Sequence, residues 1–395
     1  MSAFKAFSCL LSVDLSSHNK LSISEAVKRI KENIDLIFQT GSSFSLPTND
    51  GEIHVVVSSK DSVNNSSMTI IINVYKSKSL ITINIESCNA FVSNTCDSIE
   101  NNDHELDDIE LINVSNSSTE KLKEKLSEAL EIEVEKIPVI KRGSKVPNYF
   151  TSSDERVMEY DFDELLFDKR SKYQQVRIYH SKTLGNALFL DGLQNLADSD
   201  LAYTHGLMKF GQNSYTGKEI LILGGGDGGL LHELLKENPK YVTMVDIDEV
   251  VIDACRVHLR KSCGDVLDTL KRDNYEIIVN DCIKYLNQYV EEGRKFDFIF
   301  NDLTDIPISP THTKIGKNLW DFVRNILMLS LNCLKVDGKF LNHAIGSGHT
   351  RALQEYEKVL TDLPVKVRFS RHSAFVPSFA EDWVFYEITL VNDSS

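Results

Sequence analysis

Alternating strand and helix segments in the second half of the chain limit the fold more than any other feature of the sequence. From residue 217 onward, each apolar segment with a strand-like pattern is followed by a segment with a helical pattern. The strand-like segments are "EILILGG", "YVTMVDID", "EIIVNDC", "FDFIFND" and "KFLNHAIG". Repetition of this unit predicts a doubly wound α/β fold, a parallel sheet with helices on both faces. The last two strand segments, "VKVRFSRHSAFV" and "WVFYEITLV", have no helix between them and predict an antiparallel hairpin at the sheet edge.

The part of the chain before this alternation is expected to form two further regions. Residues 1–118 predict a small α+β domain that ends in a polar linker, since 93–118 is too rich in Asp, Asn, Ser and Glu to bury a core. Residues 119–195 predict a linking helix and then a small region of antiparallel hairpins, whose strands are separated by Gly and Asp turns. Residues 196–395 hold the doubly wound sheet.

Composition excludes several classes of function. The chain has 395 residues and a formal charge of −15, which disfavours nonspecific nucleic-acid binding because that requires a basic surface. Seven cysteines without a CxxC pair predict reduced thiols in a cytoplasmic protein. The sequence contains no apolar stretch of about 18 residues and no HExxH motif, so we expect neither a membrane span nor a metal site.

Acidic residues follow four strands of the predicted sheet, at the point where each strand ends. They are Asp227, Asp246, Asp248, Asp281, Asp302 and Asp305. One such acid would mean little, because Asp is common where strands turn. The carboxyl ends of parallel strands meet at one edge of a sheet, and like charges there disfavour each other's ionisation. The pattern therefore indicates a cationic ligand or shared protons.

The turn after the first of these strands narrows the choice of ligand. Its glycines Gly224, Gly226 and Gly229 fit the GxGxxG pattern, and Asp246 stands 20 residues beyond Gly226, where an acid binds ribose hydroxyls. Asp227, inside the turn, would repel a pyrophosphate or the carboxylate of a methionine group by roughly 4 kcal/mol at about 4 Å. It would attract an ammonium by a comparable amount. The ligand that fits is decarboxylated adenosylmethionine, an adenosyl sulfonium with an aminopropyl arm.

Several motifs in order along the chain give a resemblance to a known family. They are "SDLAYT", "LILGGGDGG", "NDCIKYL", "NDLTDIPIS" and "VPSFAEDWVFY". Over about residues 135–390 the chain resembles the aminopropyltransferases, the spermine synthases in particular. The resemblance implies a Rossmann-like, methyltransferase-type sheet in 196–395. It also implies that residues 1–118 are similar to an adenosylmethionine-decarboxylase-like dimerisation domain, and hence that the protein is a homodimer.

The resemblance also implies a reaction, in which the aminopropyl group of decarboxylated adenosylmethionine passes to spermidine and yields spermine and 5'-methylthioadenosine. The donor is a co-substrate, and no prosthetic group is expected. The catalytic base would be Asp302. The donor-binding residues would be Gln174, Asp227, Asp246, Asp281 and Cys282. The polyamine-binding residues would be Tyr203, Asp227, Phe379 and Glu381.

Plainer roles remain open for several of these residues. Asp302 and Asp281 could cap the turn or helix that follows them, Tyr203 could be a core tyrosine, and Gln174 could be a surface residue. The sequence also departs from the family pattern, because Phe379 stands where spermine synthases usually have Tyr.

Other functions remain open as well. Spermidine or thermospermine synthesis differs only in the acceptor amine, and methyl transfer is disfavoured by Asp227. A non-catalytic polyamine-binding homologue belongs to a different class, and a NAD-linked oxidoreductase is the least favoured reading. We also expect that the segment 309–318 could form part of a lid over the site.

Overall fold

The chain forms two compact units in a computed structural model, Met1–Lys145 and Val146–Ser395. The structure describes residues 6–16, 21–58, 66–89, 116–143, 146–303, 305–308 and 314–391. Most of the predicted linker at 93–118, and residues 309–313 of the predicted lid, lie outside these ranges. No helix in the described ranges is long and apolar enough to cross a membrane.

The first unit is an antiparallel sheet with helices packed on it. Its elements are β1 (Ala6–Asp14), α1 (Ile23–Phe38), β2 (Thr40–Pro47), β3 (Gly51–Ser58), β4 (Ser66–Tyr75), β5 (Leu80–Asn89), α2 (Asn116–Leu130) and β6 (Glu135–Arg142). The strands are ordered β2-β3-β4-β5-β1-β6. Alternate residues of β5, such as Ile81 and Ile83, are fully buried, as are Ile30 of α1 and Leu126 of α2, and together they form the core of this unit.

The division into units differs from the predicted division at residues 119–142. We assigned these residues to a linking region with the hairpins. In the structure, α2 packs on α1, and β6 pairs with β1, Leu10 standing opposite Ile137. This pairing is non-local in sequence, so the local pattern could not reveal it.

The second unit begins with the predicted antiparallel hairpins. They are built from β7 (Tyr149–Thr151), β8 (Val157–Glu159), β9 (Phe162–Arg170), β10 (Gln175–Ser181), β11 (Gly185–Leu190) and β12 (Leu193–Ala197). The strands β12-β11-β10-β9 form one sheet, and β7 pairs with β8. Aromatic rings from several of these strands pack together; Phe162 and Tyr179, for example, stack with ring centroids 5.0 Å apart.

The rest of the second unit is the Rossmann-like sheet, which confirms the predicted fold class. Its elements are α3 (Leu201–Met208), β13 (Glu219–Gly224), α4 (Gly229–Lys236), β14 (Tyr241–Asp246), α5 (Glu249–His258), α6 (Arg260–Cys263), β15 (Lys271–Arg272), β16 (Tyr275–Val279), α7 (Cys282–Glu292), β17 (Phe296–Asp302), α8 (Lys314–Asn332), β18 (Leu334–Gly346), α9 (Thr350–Thr361), β19 (Val367–Val376) and β20 (Glu381–Leu390).

Strand order in this sheet brings the acidic strand ends together. The order is β15-β16-β14-β13-β17-β18-β20-β19, with β16, β14, β13, β17 and β18 parallel and β19–β20 forming the predicted antiparallel edge hairpin. The chain runs outward from β13 to β14 and β16, then returns to β17 on the other side of β13. The order therefore reverses at β13, and in open α/β sheets ligands bind outside the carboxyl ends of the strands at such a point.

Candidate active site

A cavity of about 670 Å³ lies in the second unit at the carboxyl ends of β13, β14 and β17, closed on other sides by residues of the hairpin region and of β20. This volume is within the usual range for a small-molecule site. All nine residues proposed from the sequence line the cavity; they are Gln174, Tyr203, Asp227, Asp246, Asp281, Cys282, Asp302, Phe379 and Glu381. The structure thus brings the predicted residues together, and the role of each remains a prediction.

Most of the charged side chains that line this cavity are acidic. Among the described residues, seven carboxylates line it against a single guanidinium, that of Arg156. Carboxylates gathered in a partly desolvated space are stable as anions only when a cation is near. The lining therefore suits a ligand that carries several positive charges.

Glycines let the turn after β13 pass close to the end of β17. Gly224 has φ of +83°, and a Cβ atom at this position would lie 2.1 Å from the backbone oxygen of Asp302. The N–H of Gly225 donates to that same oxygen at 3.3 Å. No other residue type fits both the positive φ and the close approach. The glycines thus fix the distance between the turn and the carboxyl end of β17.

Asp227 lies in this turn at the start of α4. One of its carboxylate oxygens accepts a hydrogen bond from the N–H of Gly229 at 2.8 Å. Burial raises the pKa of Asp227 above its usual value, although hydrogen bonds from backbone N–H groups oppose this. The carboxylate is anchored by one oxygen. A cation that approached it through the cavity would stabilise its charged form.

Asp302 ends β17 and is held by a tyrosine. The hydroxyl of Tyr203, from α3, donates to Oδ1 of Asp302 at 2.8 Å. Burial, and then the charge of Asp227, raises the pKa of Asp302 to about 7, while the hydrogen bond from Tyr203 opposes the rise. A carboxyl group with a pKa near 7 and one oriented oxygen can act as a general base.

Asp246, at the end of β14, accepts hydrogen bonds on both oxygens. Its partners are the N–H groups of Gly226 at 2.9 Å and of Asp248 at 2.8 Å, and these bonds orient it beside the glycine turn. Burial raises its pKa to about 6. Asp246 also lines the cavity, beside the glycine turn.

Gln174 is held in the cavity wall by an acid that the sequence analysis gave no role. Its amide donates to Oδ2 of Asp248 at 3.0 Å, and Ser171 donates to the same oxygen at 2.7 Å. Asp248 also caps α5 by accepting from the N–H of Val250. Gln174 is therefore half-buried and oriented rather than free on the surface.

Asp281 caps the helix that follows it, which is the plainer of its two possible roles. It accepts from the N–H of Ile283 at 2.9 Å at the start of α7, and it also lines the cavity. Cys282 beside it is buried, and burial followed by the charge of Asp281 raises the pKa of its thiol to about 12. The thiol is thus neutral at pH 7 and can only pack or form weak hydrogen bonds.

The other part of the cavity is lined by aromatic rings from the edge hairpin. Phe379 lies 4.7 Å from Trp383 and 6.1 Å from Tyr203, measured between ring centroids. The turn Pro377–Phe379 is fixed by Asp200, which is buried and accepts from the N–H of Ser378 at 3.0 Å. Rings of this kind form an apolar wall suited to a chain of methylene groups.

Two polar residues between these parts complete the lining. Burial, and then the charge of Glu381, raises the pKa of Asp305 to about 7. Nδ1 of His343 lies 3.5 Å from Oδ1 of Asp305, and burial lowers the pKa of this histidine to about 4, so it is neutral at pH 7. The sequence pattern predicts Asp305 at a strand end without a specific role, and no local pattern points to His343.

Glu381 forms an ion pair that the sequence analysis did not anticipate. Its Oε1 lies 2.8 Å from Nη2 of Arg156, and Nε of the same arginine lies 2.7 Å from Asp154. Arg156 is 225 positions away from Glu381, so no spacing rule could connect them. Within the described ranges, no group of three or more His, Cys, Asp or Glu side chains is placed to hold a metal ion.

Comparison with known proteins gives matches over nearly all of the second unit. The family described as "Spermine/spermidine synthase domain" matches residues 200–393, and that described as "Spermidine synthase tetramerisation domain" matches residues 148–198. A polyamine aminopropyltransferase of Pyrobaculum arsenaticum is 31% identical over 225 residues, which are 55% of this chain and 73% of that protein. One of Aeropyrum pernix is 27% identical over 229 residues, 56% of this chain and 68% of that protein.

Solved structures also match. A spermidine synthase from Thermotoga maritima superposes with a TM-score of 0.48 at 20% identity, over 62% of this chain and 78% of that one. A spermidine synthase in complex with the transition-state analogue AdoDATO superposes with a TM-score of 0.49 at 22% identity, over 62% and 79% of the two chains.

Proposed function

The chain belongs to the spermine/spermidine synthase family, and from this premise we propose that it transfers the aminopropyl group of decarboxylated adenosylmethionine to spermidine. Membership confirms the family resemblance found in the sequence, and aminopropyl transfer to a polyamine follows from it. The choice of spermidine as the acceptor, and the role of each residue, are the proposal.

One observation supports the proposal more than any other: Asp227 and Asp302 line the same cavity, and that cavity carries seven carboxylates against one guanidinium. A methyl donor with its carboxylate, or a dinucleotide, would bring negative charge to Asp227. Decarboxylated adenosylmethionine brings a sulfonium and an ammonium, and spermidine brings further ammonium groups. The charges of cavity and substrates are therefore complementary.

The donor would lie along the carboxyl ends of β13, β14 and β16. Asp246 would accept hydrogen bonds from the ribose hydroxyls, Asp281 would accept from the adenine amino group beside Cys282, and Gln174 would hydrogen-bond the donor from the hairpin side. Asp227 would bind the terminal ammonium of the aminopropyl arm. In this orientation the sulfonium and its reacting methylene would lie between the glycine turn and Asp302.

Asp302 would act as the base for the transfer. An alkylamine has a pKa near 10.4, so the neutral nucleophile costs about 5 kcal/mol at pH 7. Asp302 would accept a proton from the acceptor nitrogen, and Tyr203, which donates to Oδ1 of Asp302, would keep the other oxygen turned toward that nitrogen. The nitrogen bonds to the methylene beside sulfur, the carbon–sulfur bond breaks, and its electron pair remains on sulfur in methylthioadenosine. Alignment of the two reactants supplies much of the remaining acceleration.

The acceptor would extend from Asp302 toward the edge hairpin. Its methylene groups would pack on Phe379 and Trp383, and a second ammonium would meet Glu381. Phe379 cannot supply the hydroxyl contact of the usual Tyr, so the acceptor would depend more strongly on carboxylates. Asp305 lies where it could meet a nitrogen between the two ends.

We also propose that the protein is a homodimer that associates through its N-terminal domain, which in the structure includes α2 and β6, and that residues 196–395 are the catalytic domain. A family named for tetramerisation matches residues 148–198, which supports self-association and leaves the number of subunits to measurement. Light scattering coupled to size-exclusion chromatography gives that number. A cytoplasmic location remains a prediction from cysteine content.

Product analysis tests the proposed reaction. The protein is incubated with decarboxylated adenosylmethionine and with putrescine or spermidine in separate reactions, and amines and methylthioadenosine are measured by mass spectrometry. We expect spermine from spermidine, with one methylthioadenosine per spermine. Spermidine from putrescine would replace the proposed acceptor, thermospermine would change the nitrogen that attacks, and the absence of any amine product would support a non-catalytic homologue.

A further inference from the structure

Arg156 is out of place in a cavity that is otherwise lined by acids. It is the only Lys or Arg among the described lining residues, and it stands in the turn between β7 and β8. A cation in a site for polycations repels the substrates, so a purely electrostatic account of the site would exclude it. Its contacts suggest what offsets that repulsion.

The guanidinium connects two carboxylates from distant parts of the unit. Nη2 of Arg156 lies 2.8 Å from Oε1 of Glu381, and Nε lies 2.7 Å from Oδ2 of Asp154. Asp154 is itself fixed by a hydrogen bond from the hydroxyl of Ser152 and lies 3.4 Å from Nε2 of His349. Arg156 is thus held in one orientation, because its planar guanidinium uses separate nitrogen atoms for the two acids.

The other oxygen of Glu381 is restrained by close packing. Gly346, at the end of β18, faces Oε2 of Glu381 so closely that a Cβ atom at this glycine would lie 2.2 Å from it. Glu381 is therefore fixed on one side by Arg156 and on the other by the backbone of β18. Only 18% of its side chain is exposed, and it lines the cavity. A carboxylate held in this way keeps lone pairs for a further donor.

The net charge of this group still favours a cation. Asp154 and Glu381 together carry two negative charges and Arg156 one positive charge. One negative charge remains, and Arg156 cannot lose its proton because the hydrogen bond to Glu381 and that to Asp154 raise its pKa further. The arginine therefore weakens the attraction of this group for an ammonium without removing it, and it also orients Glu381.

We propose that Arg156 is a positioning residue for the acceptor: it holds Glu381 where that carboxylate meets the ammonium of the acceptor farthest from the reacting nitrogen. The inference rests on the proposed function, because it assigns an acceptor to the Glu381 side of the cavity. It adds a residue that determines which acceptors bind well. Arg156 makes no contact with the donor or with the reacting atoms in this assignment.

Paired acceptors test the inference. Spermidine is compared with N-propyl-1,4-diaminobutane, which keeps the reacting amine and the middle amine but lacks the far amine. In wild type, the KM for spermidine should be the lower of the two. In Arg156→Gln, the KM for spermidine should rise about tenfold, as expected when an oriented charged contact of about 1.5 kcal/mol is lost. The KM for the analogue, the KM for the donor and kcat should change less than twofold.

Four further variants make the test specific. Arg156→Lys should recover part of the spermidine affinity, because an ammonium can still bind Glu381. Glu381→Gln should raise the spermidine KM, and the double variant should be no worse than Glu381→Gln alone, since both act through one carboxylate. Arg177→Gln, which removes an exposed arginine paired with Asp168 outside the cavity, is the matched control and should leave all constants unchanged.

The inference is overturned if Arg156→Gln changes both acceptors equally, or if it lowers kcat without changing KM. Either result would make Arg156 a structural residue. If wild type uses putrescine, the pair becomes putrescine and 1-aminobutane, and the same comparison applies. If wild type forms no amine product with any acceptor, the proposed function fails, and this outcome is distinct from the equal effect on both acceptors that would refute the role of Arg156.

Discussion

Asp302 has the two properties that a base in this reaction requires, and each comes from a different neighbour. Burial and the charge of Asp227 raise its pKa to about 7, and Tyr203 fixes one of its oxygens at 2.8 Å. A carboxylate with an ordinary pKa would be a weak acceptor for the proton of an alkylamine. The same side chain without the tyrosine would have no fixed direction.

Replacing Asp302 tests this assignment. Asp302→Asn keeps the shape and can still accept from Tyr203, but it cannot take a proton, so kcat should fall about 10²- to 10⁴-fold. Affinity for methylthioadenosine, measured by calorimetry, should change less than about threefold. Asp273→Asn, the same change at an exposed turn, is the control and should be fully active. A kcat within tenfold of wild type would show that Asp302 is not the base.

The strand-end residues can be predicted from the sequence, because the carboxyl ends of parallel strands meet at one edge of a sheet. The carboxyl ends of β13, β14 and β17 meet where the sheet reverses its order, so Asp227, Asp246 and Asp302 can be grouped from the sequence alone. Arg156 and His343 could not be found in this way. Their placement depends on how the hairpin region and β18 pack against the sheet, and no pattern of residues records that packing.

At the scale of elements, the close contact between the β13–α4 turn and the end of β17 sets the geometry of the site. Gly224 stands beside Asp302 in the parallel register of these strands, and the N–H of Gly225 donates to the backbone oxygen of Asp302. The two carboxylates of the proposed mechanism are thus fixed to one another through backbone atoms. A shift of either element would change their separation.

Two glycine variants separate the effect of this contact from that of backbone conformation. Gly224→Ala and Gly217→Ala both place a side chain at positive φ, at +83° and +71°, and that alone costs about 1 kcal/mol. Only at 224 does the new Cβ collide with backbone, whereas at 217 the described residues leave it clear. We expect Gly217→Ala to keep kcat/KM within about twofold and Gly224→Ala to lower it at least a hundredfold. Equal activity of the two variants would contradict this account of the turn.

For the molecule as a whole, the acids that line the cavity lower the free energy of unfolding when no ligand is bound. Asp302 and Asp246 have pKa values raised to about 7 and about 6, well above about 3.9 for an unfolded chain. Between pH 4 and pH 7 the folded state therefore binds more protons than the unfolded state. The contribution of these groups to the free energy of unfolding consequently falls as the pH rises through this range.

Thermal unfolding of the ligand-free protein tests this linkage. Asp302→Asn removes one of the buried charges, so at pH 8 its free energy of unfolding should exceed that of wild type by about 1–2 kcal/mol. The Tm should rise by roughly 2–8 °C at pH 8, and the difference should shrink at pH 5, where wild-type Asp302 is protonated. Asp273→Asn should shift neither Tm. A variant that is less stable than wild type at pH 8 would mean that the charges are compensated within the fold.

The overall architecture was predicted where local pattern and global fold agree. The alternation of strand and helix segments predicts the doubly wound sheet, and the absence of a helical segment between β19 and β20 predicts the edge hairpin. The division at residues 119–142 differed because the pairing of β6 with β1 joins residues more than a hundred positions apart. Such pairings are decided by the burial of whole faces, which a short segment does not reveal.

We propose that the carboxylate of Asp227 selects a donor whose arm ends in an ammonium without a neighbouring carboxylate. Calorimetric titration of wild type with decarboxylated adenosylmethionine and with adenosylmethionine measures that selection directly. We expect the decarboxylated donor to bind at least a hundredfold more tightly, and Asp227→Asn to reduce this ratio at least tenfold. Equal affinities in wild type, or an unchanged ratio in Asp227→Asn, would show that Asp227 does not select the donor.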